Sequence, residues 1–178
     1  RAPRTAGWYN LDYHILQTSK DEPIIRRIRN QMLGANLPIE FSKGEAAPGQ
    51  HEINLRYSDA LEMADNHVVF KNGVKEIAHL EGQSATFMAK PFADQPGSSC
   101  HIHTSLWSLD GQTPLSPGDA GNGMSGEFRS FVAGLVNHLA DVTLLDAPNI
   151  NSYKRYQPES WAPTATVWAL DNRTAGLR

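Results

Sequence analysis

Apolar residues recur at helical spacing in three stretches of the chain. A capping-box pattern at residues 19–22 precedes the first stretch, and Gly34 can end it. The second stretch runs from Asp59 to about Gly82, and the third follows Ser125, a residue type that favours helix N-caps. The expected buried positions of these helices are Ile24, Ile25, Ile28 and Met32, then Leu61, Ala64, Val68, Ile77 and Ala78, and then Phe128, Phe131, Val132, Leu135, Val136 and Leu139. The pattern therefore predicts three amphipathic helices.

Short runs of β-branched, aromatic or alternating residues predict strands between these helices. Residues 37–43 and 51–57 alternate on either side of a turn marked by Pro48 and Gly49. Four further runs are interpreted as strands, at 8–18, 84–90, 100–107 and 164–170. The Gly-, Pro- and Ser-rich residues 110–126 predict a mobile surface loop. Because helices and strands are mixed without strict βαβ alternation, we expect an α+β fold with a largely antiparallel sheet.

Composition and charge exclude several classes of protein. The chain has 178 residues, 40% of them hydrophobic and 20% charged, and a formal net charge of −3. The sequence has no basic run, so we do not expect a nucleic-acid partner. It has no long apolar stretch, so we do not expect a membrane partner. Cys100 is the only cysteine, which suits a reducing compartment, so we expect a cytoplasmic protein. The chain begins with Arg1 and ends at Arg178, and we expect it to be part of a longer protein.

Two histidines and a serine alternate in the predicted strand at 100–107. Residues i and i+2 of a strand point to the same face, so His101, His103 and Ser105 are expected to share one. A polar row on a rigid element needs a partner, which a metal ion or a nucleotide could provide. The alternative is that the histidines have a structural or surface role.

Three glutamates surround the predicted strand–turn–strand. Glu40, Glu45 and Glu52 fall within a short segment, and Glu52 is expected to face away from Ile53 in its strand. Hard cations such as Mg²⁺ prefer carboxylate oxygens, and a histidine can join them. Two carboxylates across the turn, facing His101, would make such a site. The alternative is that these glutamates are solvated surface charges.

Basic residues follow late in the chain. Arg173 and Arg178 lie around the end of a predicted strand, at a spacing that could let both reach one polyphosphate. Lys154 and Arg155 precede them. The alternative is a solvated basic edge of the sheet.

Six segments in a fixed order carry a resemblance to a known family. They are GEAAPGQHEI (44–53), GQSATFMAKP (82–91), GSSCHIHTSLW (97–107), NSYKRYQP (151–158), WAP (161–163) and DNRTAGLR (171–178). Together they closely resemble the catalytic domain of the glutamine synthetase family, above all its γ-glutamyl ligases that act on polyamines or other amines. The resemblance implies a largely antiparallel, curved sheet flanked by helices. It also implies that residues 1–178 form a single partial catalytic domain, incomplete at both ends and without the family's smaller N-terminal domain.

The resemblance also implies a role for each matching residue. One catalytic divalent cation has ligands that match Glu45 and Glu52, and the other has a ligand that matches His101. The family residues that contact ATP match Glu40, Tyr57, His103, Ser105 and Arg178, and those that hold glutamate match Gly97 and Arg155. The expected catalytic residues are Arg155, Arg173 and Arg178. The implied reaction has two steps: ATP phosphorylates the γ-carboxylate of glutamate, and an amine then displaces phosphate. The implied cofactor is Mg²⁺ or Mn²⁺, and the implied setting is cytoplasmic nitrogen metabolism.

The sequence also departs from the family pattern. Where the family has Asn-Gly-Ser-Gly before the histidine, this chain has residues 96–99 as Pro-Gly-Ser-Ser. Family members form homo-oligomeric rings with sites between subunits, and they carry further site residues that this chain lacks. We therefore expect residues 1–178 alone to have no ligase activity.

The sharpest departure is Trp161. Ammonia-using members of the family carry a glutamate at this position, which stabilises ammonium and takes its proton. An indole has no acceptor, but its wide face suits an alkyl chain or a cationic amine. We therefore place Trp161 in the amine site and expect a larger acceptor, such as putrescine, spermine or a small amino alcohol. Two alternatives remain open: Trp161 fills a core, or Glu159 supplies the carboxylate.

Three other functions remain open. The first is ordinary glutamine synthesis with ammonia, and the second is a catalytically inactive relative that forms a structural ring. The intact Glu45, Glu52 and His101 argue against an inactive relative. The third is a small zinc hydrolase, which would need a further ligand and a base, and no HExxH pattern is present.

Overall fold

The computed structural model describes residues 12–119 and 121–178. The chain divides into two compact units: an N-terminal unit that extends to Phe87 and a C-terminal unit over Met88–Arg178. No helix in the described ranges is long and apolar enough to cross a membrane. The prediction of a single partial domain stays a prediction.

From residue 12 onward, the N-terminal unit combines three helices with one β-hairpin. Its elements are α1 (Ile15–Thr18), α2 (Glu22–Gly34), β1 (Ile39–Gly44), β2 (His51–Leu55) and α3 (Ala60–Leu80). β1 and β2 pair antiparallel. The two helices predicted for this part of the chain and the strand–turn–strand are therefore confirmed.

One hydrophobic cluster forms the core of the N-terminal unit. Its buried members are Ile25, Ile28, Met32, Leu37, Ile39, Phe70, Val74 and Ile77. Ile53 and Leu55 of β2 pack against the same cluster, so the other face of the hairpin is available to polar side chains. In α3, a Cβ atom on Gly73 would come within 3.0 Å of the Met32 sulfur. The absence of a side chain at Gly73 therefore permits the close packing of α2 against α3.

Some predictions for the N-terminal unit are wrong in detail. The buried residues of α3 all lie from Phe70 onward, whereas Leu61 is 77% exposed and Ala64 and Val68 are exposed as well. Among the described residues, the part of α3 that packs with α2 in the core cluster is its C-terminal half, from Phe70 onward. The N-cap of α2 is Asp21, whose side chain makes no cap hydrogen bond. The Asp21 carboxylate instead contacts Nε2 of His51 at 3.1 Å.

Two strands predicted near this unit are absent from the described residues. Of the first, residues 8–11 lie outside the described range, and the remainder contains the short helix α1. The second, 84–90, has no strand and crosses the boundary between the units. In its N-terminal part, Ala85 packs on the core and the Phe87 ring meets the Phe70 ring edge-on at 6.1 Å. The apolar residues of this segment therefore make packing contacts and do not pair in a β-sheet.

The C-terminal unit contains two helices and two short strands, namely α4 (Gly126–Asp146), α5 (Ile150–Tyr153), β3 (Ala165–Trp168) and β4 (Ala175–Leu177). The predicted cap is confirmed, because Oγ of Ser125 accepts the backbone N–H of Phe128 at 3.0 Å. The predicted strand at 164–170 is confirmed as β3. It pairs with β4 in parallel, whereas we expected a largely antiparallel sheet. The apolar stripe of α4 packs on β3 and β4 but contributes no buried residue.

The predicted strand at 100–107 is also wrong. Pairing begins only at its end, where Leu106 O accepts the N–H of Leu115 at 2.8 Å and Trp107 bridges Pro114. A strand requires a second segment alongside it, and in this unit residues 114–116 reach only that end. A second isolated bridge lies within the predicted loop, and the mobility of that loop stays a prediction.

Candidate functional site

The turn of the hairpin holds Glu45 at the end of β1. The N–H of Glu45 donates to Gln50 O at 2.9 Å, and the Gln50 side chain accepts the N–H of Ala47 at 3.1 Å. Gly49 has a φ of 71°, a conformation that glycine adopts without strain. The Pro-Gly turn therefore fixes the direction in which the chain leaves β1 and returns along β2.

The hairpin gathers two of the predicted metal ligands around one lysine. Lys43 and Glu52 are direct partners in the ladder, so their side chains share a face. The Lys43 ammonium lies 2.5 Å from Oε1 of Glu45, 3.3 Å from Oε2 of Glu52 and 2.8 Å from Oδ1 of Asp12. The structure therefore brings Glu45 and Glu52 together, and it adds a cation and a third carboxylate to them.

The pKa values of this cluster reflect its shared charge. The neighbouring Glu45 side chain is the largest influence on the pKa of Glu52, which is lowered, with further lowering contributions from Asn54 and Lys43. Burial alone would lower the pKa of Lys43, but hydrogen bonds to Asp12 and Glu45 outweigh it and raise that pKa. Lys43 therefore stays fully charged among the carboxylates.

Two residues predicted to contact ATP lie at the other end of the hairpin. Glu40 has no partner on β2, because the register shifts between Ile39 and Phe41 in a β-bulge. Bulges re-aim side chains and are frequent beside active sites. Tyr57 follows the end of β2 and is 87% exposed. The structure therefore places both residues away from the turn that carries Glu45.

In the C-terminal unit, the two predicted glutamate-binding residues are in contact. A Cβ atom on Gly97 would overlap the carbonyl oxygen of Ala89 and the side chain of Arg155. The Arg155 guanidinium donates to Ser160 O at 2.5 Å, and burial lowers its pKa. Its buried Nε has no hydrogen-bond partner within the described ranges. Gly97 and Arg155 are therefore packed together, and Nε of Arg155 is a hydrogen-bond donor that could serve a ligand.

His101 and Arg178 also meet in this unit. Nη2 of Arg178 lies 3.4 Å from Nε2 of His101. His103 is exposed, and Oγ of Ser105 accepts the indole N–H of Trp107 at 2.9 Å. Since no strand forms here, the argument that alternation puts His101, His103 and Ser105 on one face does not hold. The contact with Arg178 links a predicted metal ligand to a predicted phosphate-binding residue instead.

Trp161 pairs with another predicted site residue. The guanidinium carbon of Arg173 lies 5.8 Å from the centre of the Trp161 ring, within the range of a cation–π contact. The indole is 60% exposed, so it does not fill a core in this unit. Glu159 and Trp161 both have positive φ values, 60° and 54°. This segment is therefore not extended, and the argument that placed Glu159 on the same face as Trp161 is wrong.

Sequence reasoning missed Lys43 and Asp12, although one signal for Lys43 was present. With the turn at residues 45–50, the hairpin register pairs Gly44 with His51 and therefore Lys43 with Glu52. No comparable pattern indicated Asp12, whose contact with Lys43 depends on tertiary structure. Within residues 12–119 and 121–178, no three His, Cys, Asp or Glu side chains form a group suited to a metal ion.

The family of the chain is shown by comparison with known proteins. A family model described as the catalytic domain of glutamine synthetase matches residues 4–178. The chain belongs to the glutamine synthetase family, and the prediction of this family is confirmed.

The similar proteins include ligases named for amines. The gamma-glutamylethanolamide synthetase GlnA4 of Streptomyces coelicolor is 53% identical over 173 residues, which cover 97% of this chain and 37% of that protein. A glutamate–isopropylamine ligase of a Pseudomonas species is 41% identical, over 93% of this chain and 36% of its own. A solved structure named as a GmaS/ADP complex superposes with a TM-score of 0.86 at 34% identity, covering 96% of this chain and 41% of that one. The chain thus spans a little over a third of the length of these relatives.

Proposed function

We propose that the protein carrying this chain is an ATP-dependent ligase that joins the γ-carboxylate of glutamate to an amine through γ-glutamyl phosphate. Family membership supports the ATP-dependent chemistry. Two relatives are named for ethanolamine-type and isopropylamine products or substrates, which supports an amine acceptor. The relative whose structure is named as an ADP complex supports nucleotide binding.

In this proposal, Glu45 and Glu52 bind one divalent cation, Mg²⁺ or Mn²⁺, and His101 binds a second. The donor set suits such an ion, because the two carboxylates are already gathered around one positive charge. Mg²⁺ is commonly held by one or two carboxylates together with waters and substrate phosphates rather than by a closed protein cage. A bound cation would neutralise charge on the phosphoryl group being transferred.

The arginines of the C-terminal unit bind the anionic groups of the substrates. Arg155 holds glutamate beside Gly97, and its buried, unpartnered Nε supports this role within the part of the chain described. Arg173 and Arg178 neutralise the phosphate, since phosphoryl transfer depends mainly on positioning and charge. ATP contacts come from Arg178 and from four other residues, Glu40, Tyr57, His103 and Ser105.

The exposed indole of Trp161, with Arg173 over its ring, is the observation that carries the choice of acceptor. An ammonium site needs a carboxylate, and an indole offers none. The guanidinium lies over the ring within cation–π range, and the exposed part of the indole can receive the carbon chain of an amine. The acceptor is therefore a primary amine larger than ammonia, either a polyamine or a small amine such as ethanolamine.

The test is an assay of the full-length protein with glutamate and ATP, with each acceptor supplied in parallel at equal concentration. Ammonium, putrescine, spermine and ethanolamine are compared by release of phosphate. We expect at least one of the three organic amines to be used faster than ammonium. Fastest release with ammonium would favour glutamine synthesis, and no release with any acceptor would favour an inactive structural relative.

The remaining parts of the proposal concern the whole protein. It acts in the cytoplasm, assembles as a homo-oligomeric ring with sites between subunits, and contains a curved, largely antiparallel sheet. Family membership supports these statements. A structure of the full-length protein would test the ring and the curvature of the sheet together.

A further inference from the structure

Lys43 is the centre of a charge cluster and has no role of its own in the proposed ligase chemistry. Its side chain is 18% exposed, and its ammonium contacts one oxygen each of Asp12, Glu45 and Glu52. The centre of the Tyr13 ring lies 4.7 Å from the ammonium. One fixed cation therefore faces three carboxylates and an aromatic ring.

The oxygens that Lys43 contacts are the ones a divalent cation would need. Oε1 of Glu45 accepts from Lys43, while Oε2 accepts the N–H of Ala46 at 3.2 Å. Both oxygens of Glu45 are therefore engaged by donors of the chain. Oε2 of Glu52 lies within ion-pair distance of the same ammonium. A cation that binds this pair must share or displace the contacts made by Lys43.

Asp12 gives the ammonium a carboxylate partner that is not a proposed cation ligand. It contacts Lys43 at 2.8 Å and belongs to neither strand of the hairpin. When Glu45 and Glu52 turn toward a cation, Lys43 keeps a carboxylate partner and does not become an unpaired buried charge, which would be costly. The exchange is therefore possible without unfolding the hairpin.

We propose that Lys43 is a positioning residue that holds Glu45 and Glu52 together and competes with a free divalent cation for their oxygens. The inference rests on the proposed cation role of this pair. Its consequence is that the pair binds a free cation more weakly than its two carboxylates alone would. A like charge next to a cation site opposes binding, and the opposition is strong where solvent is partly excluded.

The test measures Mn²⁺ binding to the full-length protein by titration calorimetry without nucleotide, for wild type and for Lys43→Met. Methionine keeps the length of the side chain and removes its charge. We expect Lys43→Met to bind Mn²⁺ about tenfold more tightly, a change of about 1.4 kcal/mol. Lys43→Arg keeps the charge and is expected to bind within about twofold of wild type. Lys75→Met removes one positive charge from an exposed position of α3 and serves as the matched control.

Three outcomes overturn the inference. First, if Lys43→Met is folded by circular dichroism and binds Mn²⁺ no more tightly than wild type, Lys43 does not compete with the cation. An equal gain in Lys75→Met shows that only net charge matters. If Glu45→Gln binds Mn²⁺ as tightly as wild type does, the pair does not bind the cation, and the inference about Lys43 fails with it. If Glu45→Gln loses binding, the pair binds the cation, and the Lys43 variants alone decide the inference. If Lys43→Met is unfolded, Lys43→Gln takes its place under the same criteria.

Discussion

The guanidinium of Arg173 lies over the indole of Trp161, with its central carbon 5.8 Å from the centre of the ring. The two residues lie on opposite sides of β3 in sequence, Trp161 before the strand and Arg173 after it. A cation–π contact at an exposed site contributes about 0.5–1 kcal/mol. The contact therefore restricts an arginine that we expect to act on phosphate.

Trp161→Ala should slow the full-length enzyme with every acceptor, because Arg173 loses its support. A loss of about 0.5–1 kcal/mol corresponds to a two- to fivefold lower kcat/KM. Trp161→Phe keeps an aromatic face and should retain most of the activity. The measurement compares kcat and KM for two amines of different length. If only the KM of the longer amine changes, Trp161 contacts the acceptor as proposed but does not position Arg173.

Gly97→Ala should raise the KM for glutamate by about ten- to a hundredfold, because a displaced Arg155 no longer aligns its ligand. The added Cβ would overlap the backbone of Ala89 as well as Arg155, and backbone does not move aside as a long side chain can. The KM for ATP should change much less.

Gly134→Ala is the matched control for Gly97→Ala, because an added Cβ on Gly134 of α4 meets open space. It should stabilise the helix by about 0.5–1 kcal/mol and leave kinetics unchanged. An unchanged KM for glutamate in Gly97→Ala would remove Gly97 and Arg155 from the glutamate site.

Met32 and Gly73 should be coupled in stability. Met32→Ala removes a buried side chain and should lower the free energy of unfolding by about 2–5 kcal/mol. In Met32→Ala/Gly73→Ala, the new Cβ enters the space that the thioether occupied, and alanine favours the helix by about 1 kcal/mol. The double variant should therefore be more stable than Met32→Ala alone. Urea unfolding of wild type, both single variants and the double variant measures this, and a less stable double variant would contradict the packing of α2 on α3.

His67 should make stability depend on pH above the range in which carboxylates titrate. Burial, and then the charge of Lys71, lowers the pKa of His67 in the fold. The unfolded chain binds a proton near pH 6.5, where the folded chain does not yet do so. The free energy of unfolding therefore decreases as the pH falls from about 7 to the lower pKa of the folded state.

Urea unfolding between about pH 8 and about pH 5.5 should show a smaller loss of stability for His67→Gln than for wild type. Lys71→Gln, which removes the neighbouring charge, should lie between the two. An identical pH dependence in all three proteins would mean that the imidazole is solvated.

Elements with local signals could be predicted from the sequence, and elements that depend on distant partners could not. The cap at Ser125 and the hairpin turn at Pro48-Gly49 involve neighbours in sequence, so α4 and the β1–β2 hairpin were predicted correctly. The alternation around His101 indicated a strand, but a strand needs a partner segment, and alternation does not report one. The exposure of Leu61 likewise depends on where α2 ends its contact with α3.

The candidate site divides in the same way. The proximity of Glu45 and Glu52 follows from the hairpin and was predicted. The cation–π contact of Arg173 with Trp161 joins two turns of the chain. No pattern in the sequence indicated the backbone angles of these turns. The resemblance to the family implied that Gly97 and Arg155 both hold glutamate, but their contact was not predicted, because a long stretch of chain separates the two residues.

The hairpin that carries Glu45 and Glu52 also has a place in the order of synthesis. Its strands are neighbours in sequence, and isolated hairpins form in about 1–10 μs. Translation adds about 5–20 residues per second, which is far slower. Gly97 can meet Arg155 only after the whole of α4 has been made. The carboxylate pair therefore has time to form on the growing chain before the segment that carries Arg155 has been synthesised.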